Sequence, residues 1–353
     1  RLTADHPVRR VWHATRNIAE TEWVKAGELQ PGDRVALNDH RTFVRWEGAY
    51  GSAEGYLLGL LLGDGHLKDD EALLGAWDPD MRREANGGNV MSVGVPSMMQ
   101  AALEATRELP HRADFRGWHE VAGQPGHFRL KLAAIRDLAT EVGMRPGAKA
   151  ITPTMECASS DFSRGFLRGL FDADGSVQGT LDKGVSVRLT QVNLDTLRAV
   201  QRMLGRLGIA AKIYTERRPA GERSLPDGRG GHRLYPTQAC HELIIAGENL
   251  ARFSEVVGFA DEDKSERLEV ALASYKRELN RERFFATVES LEADGVEAVY
   301  DVTVSDVHAF DANGLYVHNC AEQPLPPYGC CCLGSIDVAR FVSAPFDEDC
   351  AFD

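Results

Sequence analysis

Two groups of residues in this chain could do covalent chemistry. One is His318-Asn319-Cys320. A cysteine is nucleophilic as its thiolate. An asparagine amide is a poor nucleophile, and attacks its own main-chain carbonyl only under enforced proximity. Histidine can deliver protons to the leaving groups. The other group is a pair, Asp64 and Asp174, each followed by glycine and each closing an apolar run: LLGLLLGDG, residues 57–65, and LRGLFDADG, residues 167–175. One copy alone reads as a buried helix with an Asp-Gly C-cap. The duplication suggests more. Gly59 and Gly169 hold matching positions where two helices could approach closely. If those helices pack together, two carboxylates meet at the negative poles of two helix dipoles, which is unfavourable without a cation. A divalent metal relieves the repulsion and can activate water for phosphodiester cleavage.

The surrounding pattern says which elements hold these groups. Residues 1 to about 48 read as short strands and turns, with a turn at Pro31-Gly32-Asp33. From about Gly51 the pattern turns helical. Each apolar run is followed by a β-like and then a helical stretch, in the second copy LDTLRAVQRMLGRLGI, an internal repeat at roughly 110 residues. From about Phe284 the chain reads as β again, as far as Cys320. The middle thus resembles an insert in a split β-domain, and a Pro-rich segment of different character follows Cys320.

The paired runs resemble the LAGLIDADG homing endonucleases. The first motif, Leu57 to Gly65, diverges at Leu62 and Gly63; the second, Leu167 to Gly175, is nearly complete. The resemblance implies an α/β domain of two pseudo-symmetric αββαββ halves forming a saddle over double-stranded DNA. Asp64 and Asp174 would ligate Mg²⁺. Lys149, in GAKAITP, matches the family's lysine before Ile-Pro with one extra residue, and would stabilise phosphate charge or orient water. Arg217, Arg218, Arg223, Arg229 and Arg233 are candidate DNA contacts.

The flanks resemble the all-β splicing domain of inteins, the Hedgehog/intein (Hint) fold. RLTADHPV carries Thr3 and His6; VYDVTVSDVHAFDANGLYVHNC carries Asp301, His308, His318, Asn319 and Cys320. The resemblance implies that His6 and Thr3 assist an acyl shift at an upstream junction and that Cys320 takes over the acyl group. Asn319 then cyclises and cuts the 319–320 bond, with His308 and His318 as proton donors and Asp301 as a relay. Splicing needs no cofactor. The chain opens inside the Thr-x-x-His block, so a missing N-terminal intein segment and N-extein are implied partners. CAEQPLPPYGCCCLGSIDVA, from Cys320, resembles the active-site segment of a ribonucleotide reductase, most like the adenosylcobalamin-dependent class, with Cys320, Glu322 and Cys331 on its functional positions.

The expected organisation is multi-domain. Residues 1–48 and 283–319 form a Hint domain, split by an endonuclease in 49–282 with halves of about 49–155 and 156–282. A host reductase fragment occupies 320–353. Two alternatives stand beside this reading: a reductase fragment known by its host activity, and an intein whose endonuclease is degenerate and only binds DNA. Composition constrains the rest. The 353 residues are 43% hydrophobic, enough for a sizeable core, and the net charge of −13 argues against a protein that coats nucleic acid through its overall field, leaving a local basic face open. The longest apolar run, Tyr56 to Gly63, is too short for a membrane span. The cysteines, bunched late, lack zinc-ligand spacing, so a reducing, cytoplasmic setting is the simplest expectation.

Overall fold

The computed structural model describes residues 1–15, 19–42, 45–78, 82–83, 89–90, 93–180, 184–226, 232–275, 279–300, 302, 304, 307, 309–319, 342–343 and 351–352. Three strands open the chain: β1 (Pro7–Ala14), β2 (Ala19–Lys25) and β3 (Arg34–Ala36). The first repeat follows as α1 (Ser52–Leu62), β4 (His66–Leu67), β5 (Ala72–Trp77), a small hairpin β6 (Arg82–Arg83) and β7 (Asn89–Val90), α2 (Gly94–Thr106), β8 (Trp118–Glu120), β9 (His127–Lys131), α3 (Ala133–Glu141) and α4 (Pro153–Glu156). The second is α5 (Ser160–Asp174), β10 (Gly175–Thr180), β11 (Gly184–Gln191), α6 (Leu194–Arg206), β12 (Lys212–Arg218), a hairpin β13 (Gly221–Pro226) and β14 (His232–Thr237), β15 (Cys240–Ile245), α7 (Asn249–Val256) and α8 (Glu262–Ser274). The chain then returns to β16 (Phe285–Thr287), β17 (Ala309–Ala312) and β18 (Leu315–His318).

The two repeats have the same topology. Their sheets run β4-β5-β9-β8 and β10-β11-β15-β12, the same order of equivalent strands, each with an extra hairpin. Local sequence sets the helix starts. Ser159 Oγ accepts the Phe162 amide at 3.0 Å, Asn193 accepts the Asp195 and Thr196 amides, and Asp261 accepts that of Lys264 at 3.0 Å. Helix α1 is apolar nearly all round because it lies inside the core, with Leu57, Leu58 and Leu61 fully buried.

Helices α1 and α5 touch backbone to backbone. A methyl group built on Gly55 would lie 2.2 Å from Phe162 O, one on Gly59 2.2 Å from Phe166 O, one on Gly165 2.1 Å from Ser52 O, and one on Gly169 2.2 Å from Tyr56 O. Only glycine permits this approach at all four positions. The expected role of Gly59 and Gly169 is therefore observed, with Gly55 and Gly165 one turn away completing the contact.

A buried polar group crosses the same interface. Tyr56 Oη donates to Asp172 Oδ2 at 2.8 Å, and the carboxylate also accepts the amides of Ala260 (3.0 Å) and Asp261 (3.1 Å). Burial pushes Asp172 up to about 6, against these hydrogen bonds and Lys264, and pushes the Tyr56 phenol up as well.

Both flanks of the chain build one six-stranded sheet, ordered β16-β3-β1-β18-β17 with β2 on β1. Leu37 N donates to Phe284 O at 2.7 Å, so the points where the chain leaves and re-enters this sheet are neighbours. The connecting segments dock on the second repeat. Arg41 pairs with Glu248 at 2.7 Å and lies 4.7 Å over the Phe284 ring. Trp46 Nε1 donates to Ala158 O at 2.8 Å, and Glu282 accepts from Asn249 at 2.9 Å. The expected β run after Phe284 is shorter than its composition suggested. Residues 290–300 form no strand, and Val296 and Tyr300 stand exposed with no neighbouring strand to cover them.

Two predictions follow from this core. Gly59→Ala and Gly169→Ala should each lower unfolding free energy in urea by about 1–3 kcal/mol, the usual cost of overpacking. Gly205→Ala, in α6 with nothing within 4 Å of the new methyl, should instead stabilise by up to about 1 kcal/mol. Asp172, with its folded pKa raised from 3.8 to about 6, favours folding as the protonated acid. That contribution is complete below 3.8 and is lost as pH rises through about 6. Asp172→Asn cannot ionise. The stability of the native chain relative to this variant should fall by about 3 kcal/mol between pH 3.5 and 7 in urea titrations.

Candidate active site

Because α1 and α5 approach so closely, their C-terminal ends share one place. Asp64 follows the end of α1 and Asp174 closes α5. Burial raises the Asp174 carboxyl first, and the Asp64 charge raises it further; the Gln191 amide, donating to Asp174 Oδ2 at 2.6 Å, and the cations of Lys149 and Lys264 pull the other way. The first motif's divergence at Gly63 suits this geometry. A methyl group there would come 2.5 Å from Ala173 Cβ and 3.3 Å from Asp174 Oδ2.

Two lysines hold the helix ends. Lys149 Nζ donates to Leu61 O at 2.8 Å, Leu62 O at 3.0 Å, and Gly65 O. Lys264 Nζ donates to Phe171 O at 3.2 Å and to Asp172 O. Each cation caps the carbonyls at one negative helix pole. Burial pushes both ammonium groups down; the charges of Asp174 and Asp64 oppose this at Lys149, and those of Asp261 and Asp172, ahead of Asp64 and Asp174, oppose it at Lys264. Lys264 escaped the sequence reading. Its signal was the repeat: carrying Lys149 forward by roughly 110 residues lands within a few positions of it.

The donor set fits a hard divalent cation. Two carboxylates and nearby carbonyls are oxygen ligands, and Mg²⁺ typically takes one or two carboxylates and completes its shell with water and substrate phosphate. Among the described residues no group of three or more His, Cys, Asp or Glu side chains is placed to hold a metal.

The faces of the two repeat sheets that point away from the core are cationic. In the first, Leu74 and Leu130 point inward, and Arg129, Lys131 and the exposed Trp77 alternate outward. In the second, Leu189, Leu243 and Ile245 point inward, and Arg188, Lys212 and Tyr214 outward. Arg217 and Arg218 end β12 on the exposed side, and Arg233 is exposed on β14. The side chains of Arg223 and Arg229 lie outside the described residues.

In the sheet built by the two flanks, β1 pairs with β18 through Val8 and Val317. Carried two residues on, this antiparallel register sets His6 opposite Asn319. Asn319 is 1% exposed. Among the described residues, buried His6 Nε2 and buried Asn319 Oδ1 have no hydrogen-bond partner. His318 packs edge-on against Trp23, ring centroids 5.3 Å apart. Thr3 is exposed; its hydroxyl bonds the Asp5 carboxylate and its carbonyl accepts the His6 amide at 3.1 Å. Asp301, His308, Cys320, Glu322 and Cys331 lie outside the described residues. No helix among the described residues is long and apolar enough to cross a membrane.

Known proteins resemble this chain in several ways. Residues 161–258 match the LAGLIDADG-like domain family. The ribonucleoside-diphosphate reductase NrdEB subunit alpha of Bacillus subtilis (strain 168) is 26% identical over 327 residues, covering 88% of this chain and 29% of that protein. A DNA polymerase of Thermococcus litoralis is 37% identical over 161 residues, 44% of this chain and 9% of the polymerase. The chain therefore spans less than a third of the relatives' length. Among solved structures, that of I-DmoI in complex with DNA and Ca is 17% identical, covers 62% of this chain and 97% of that one, and has a TM-score of 0.35. Residues 161–258 thus carry a LAGLIDADG-like domain, and the relatives that the chain resembles are polypeptides named for different enzymes.

Proposed function

We propose that the chain is a site-specific DNA endonuclease built into a protein-splicing element. The observation that carries the nuclease reading is the shared pole of α1 and α5, where burial and the Asp64 charge raise the Asp174 carboxyl beside two capping lysines. Asp64 and Asp174 would hold a divalent ion, which when bound supplies a nucleophilic water and neutralises phosphate charge. Gln191 orients Asp174. Lys149 and Lys264 keep the helix ends, and so the carboxylates, in place. The cationic sheet faces would lie along double-stranded DNA, with the host gene lacking the insert as the expected target.

The orphaned atoms of His6 and Asn319 support the splicing reading. The Asn319 side-chain nitrogen would attack its own carbonyl carbon, forming a succinimide. The peptide C–N bond to Cys320 breaks, and the amine leaves as a proton reaches it. His318, His308 and Asp301 are proposed to move that proton, and Cys320 to accept the acyl group first. His6 and Thr3 are proposed to act on an upstream junction. The host activity is proposed to be ribonucleotide reduction through Cys320, Glu322 and Cys331. The adenosylcobalamin class rests on the close spacing of Cys320 and Cys331 alone.

Two experiments test these readings. On duplex DNA spanning the uninterrupted reductase gene site, the chain should cut with Mg²⁺. Asp174→Asn should retain binding but cut below about 1% of the native rate, since losing one charge-stabilising group costs ~10²–10³ in rate. Failure of the native chain to cut any such site would leave only a DNA-binding role. With the upstream host and intein sequence supplied in trans, mass spectrometry should find a fragment beginning at Cys320. Asn319→Ala should yield none, and equal release from that variant would remove Asn cyclisation.

A further inference from the structure

A carboxylate buried in the middle of a cationic face is unexpected on a surface meant for phosphate. Glu242, on the outward face of β15, is 5% exposed. Its Oε2 lies 3.5 Å from Arg188 Nη1 and 3.4 Å from Arg217 Nε. Each arginine has a second restraint. Arg188 Nε donates to Ser186 Oγ at 2.9 Å, and the Arg217 guanidinium sits 5.5 Å over the Tyr214 ring. A negative charge here weakens attraction to DNA phosphate. It also fixes two planar forks, pre-paying the rotamer entropy that a long cationic side chain otherwise loses on binding. Arg188 and Arg217 keep 25% and 53% of their side-chain surface exposed, so the forks remain reachable. Phosphate contact needs no such rigidity; bidentate contact with the O6 and N7 edge of guanine does.

We infer that Glu242 is a positioning residue for sequence recognition, aiming Arg188 and Arg217 at base edges in the major groove at the expense of non-specific affinity. This rests on the nuclease reading's claim that the sheet faces meet DNA. The other repeat holds a related arrangement, Glu71 between Lys68 at 2.6 Å and Lys131 at 2.7 Å. Lysines are point charges without a fork, so base reading is assigned to the arginine cluster of the second repeat.

The test is selection of binding sites from a random duplex library by the native chain, Glu242→Gln and Arg188→Lys, in Ca²⁺. Binding of the selected and of a scrambled duplex is then measured across salt concentration. Glu242→Gln should bind the scrambled duplex more tightly, with a salt slope steeper by about 1 for each arginine released to phosphate. Its discrimination between the two duplexes should fall about tenfold or more, with degenerate positions in its selected site. Arg188→Lys keeps the charge and loses the fork. It should lose discrimination while its scrambled-duplex affinity is unchanged, a result that a merely structural role would not give. Native discrimination and an unaltered selected site in both variants would overturn the inference while leaving DNA binding intact. A native chain that binds no duplex would remove the nuclease reading and this inference with it.

Discussion

The architecture depends on one constraint: two helices meet backbone to backbone at four glycines. Four glycines, two per helix, let the α1 and α5 backbones touch. Dispersion contacts at that spacing are dense and unforgiving of added volume. The same approach brings two helix C-termini, each with a carboxylate, to a single place. The lysines at the two poles and the Asp174–Gln191 bond answer that electrostatic problem. The site's chemistry is thus a by-product of packing. Any pair of helices held this closely and in this orientation would need cations at their ends.

Part of this was legible in the chain. The duplicated Asp-Gly endings marked the site, because a repeat turns two weak signals into one strong one. Gly59 and Gly169 stood at equivalent places within those runs. Gly55 and Gly165 were less visible, lying two residues ahead of the motifs. Asp172 could not be separated from Asp174 by composition. Two positions apart on α5, they point to different neighbours: Asp172 to Tyr56 and the amides before α8, Asp174 to Gln191 and Asp64. Lys264 was hidden because no motif surrounds it and its distance from Asp174 differs by a few residues from that of Lys149 to Asp64. Glu242 was illegible for another reason. A single acidic residue in a strand shows its partners only when β11 and β12 are laid on either side of it.

The split sheet shows how sequence pattern and topology divide the task. Strand-like composition at both ends of the chain announced two β segments. It did not say that they interleave, with β16 beside β3 and β18 between β1 and β17. That interleaving pairs Val8 with Val317, some three hundred residues apart in sequence, near His6 and Asn319, whose buried Nε2 and Oδ1 have no hydrogen-bond partner among the described residues.

The bond between Leu37 and Phe284 has a consequence for the history of the molecule. The two chain crossings into the inserted domain are adjacent rungs of one ladder. Antiparallel neighbours lie only about 5 Å apart, and a turn of about two residues can join them. The long detour can therefore be short-circuited by a single deletion that re-forms an ordinary hairpin, without re-laying any strand. The contacts forfeited, those of Arg41, Trp46 and Glu282, point into the domain that would be lost. Such a topology makes gain and loss of the passenger a reversible matter of one loop, and lets the two parts of the chain have separate ancestries.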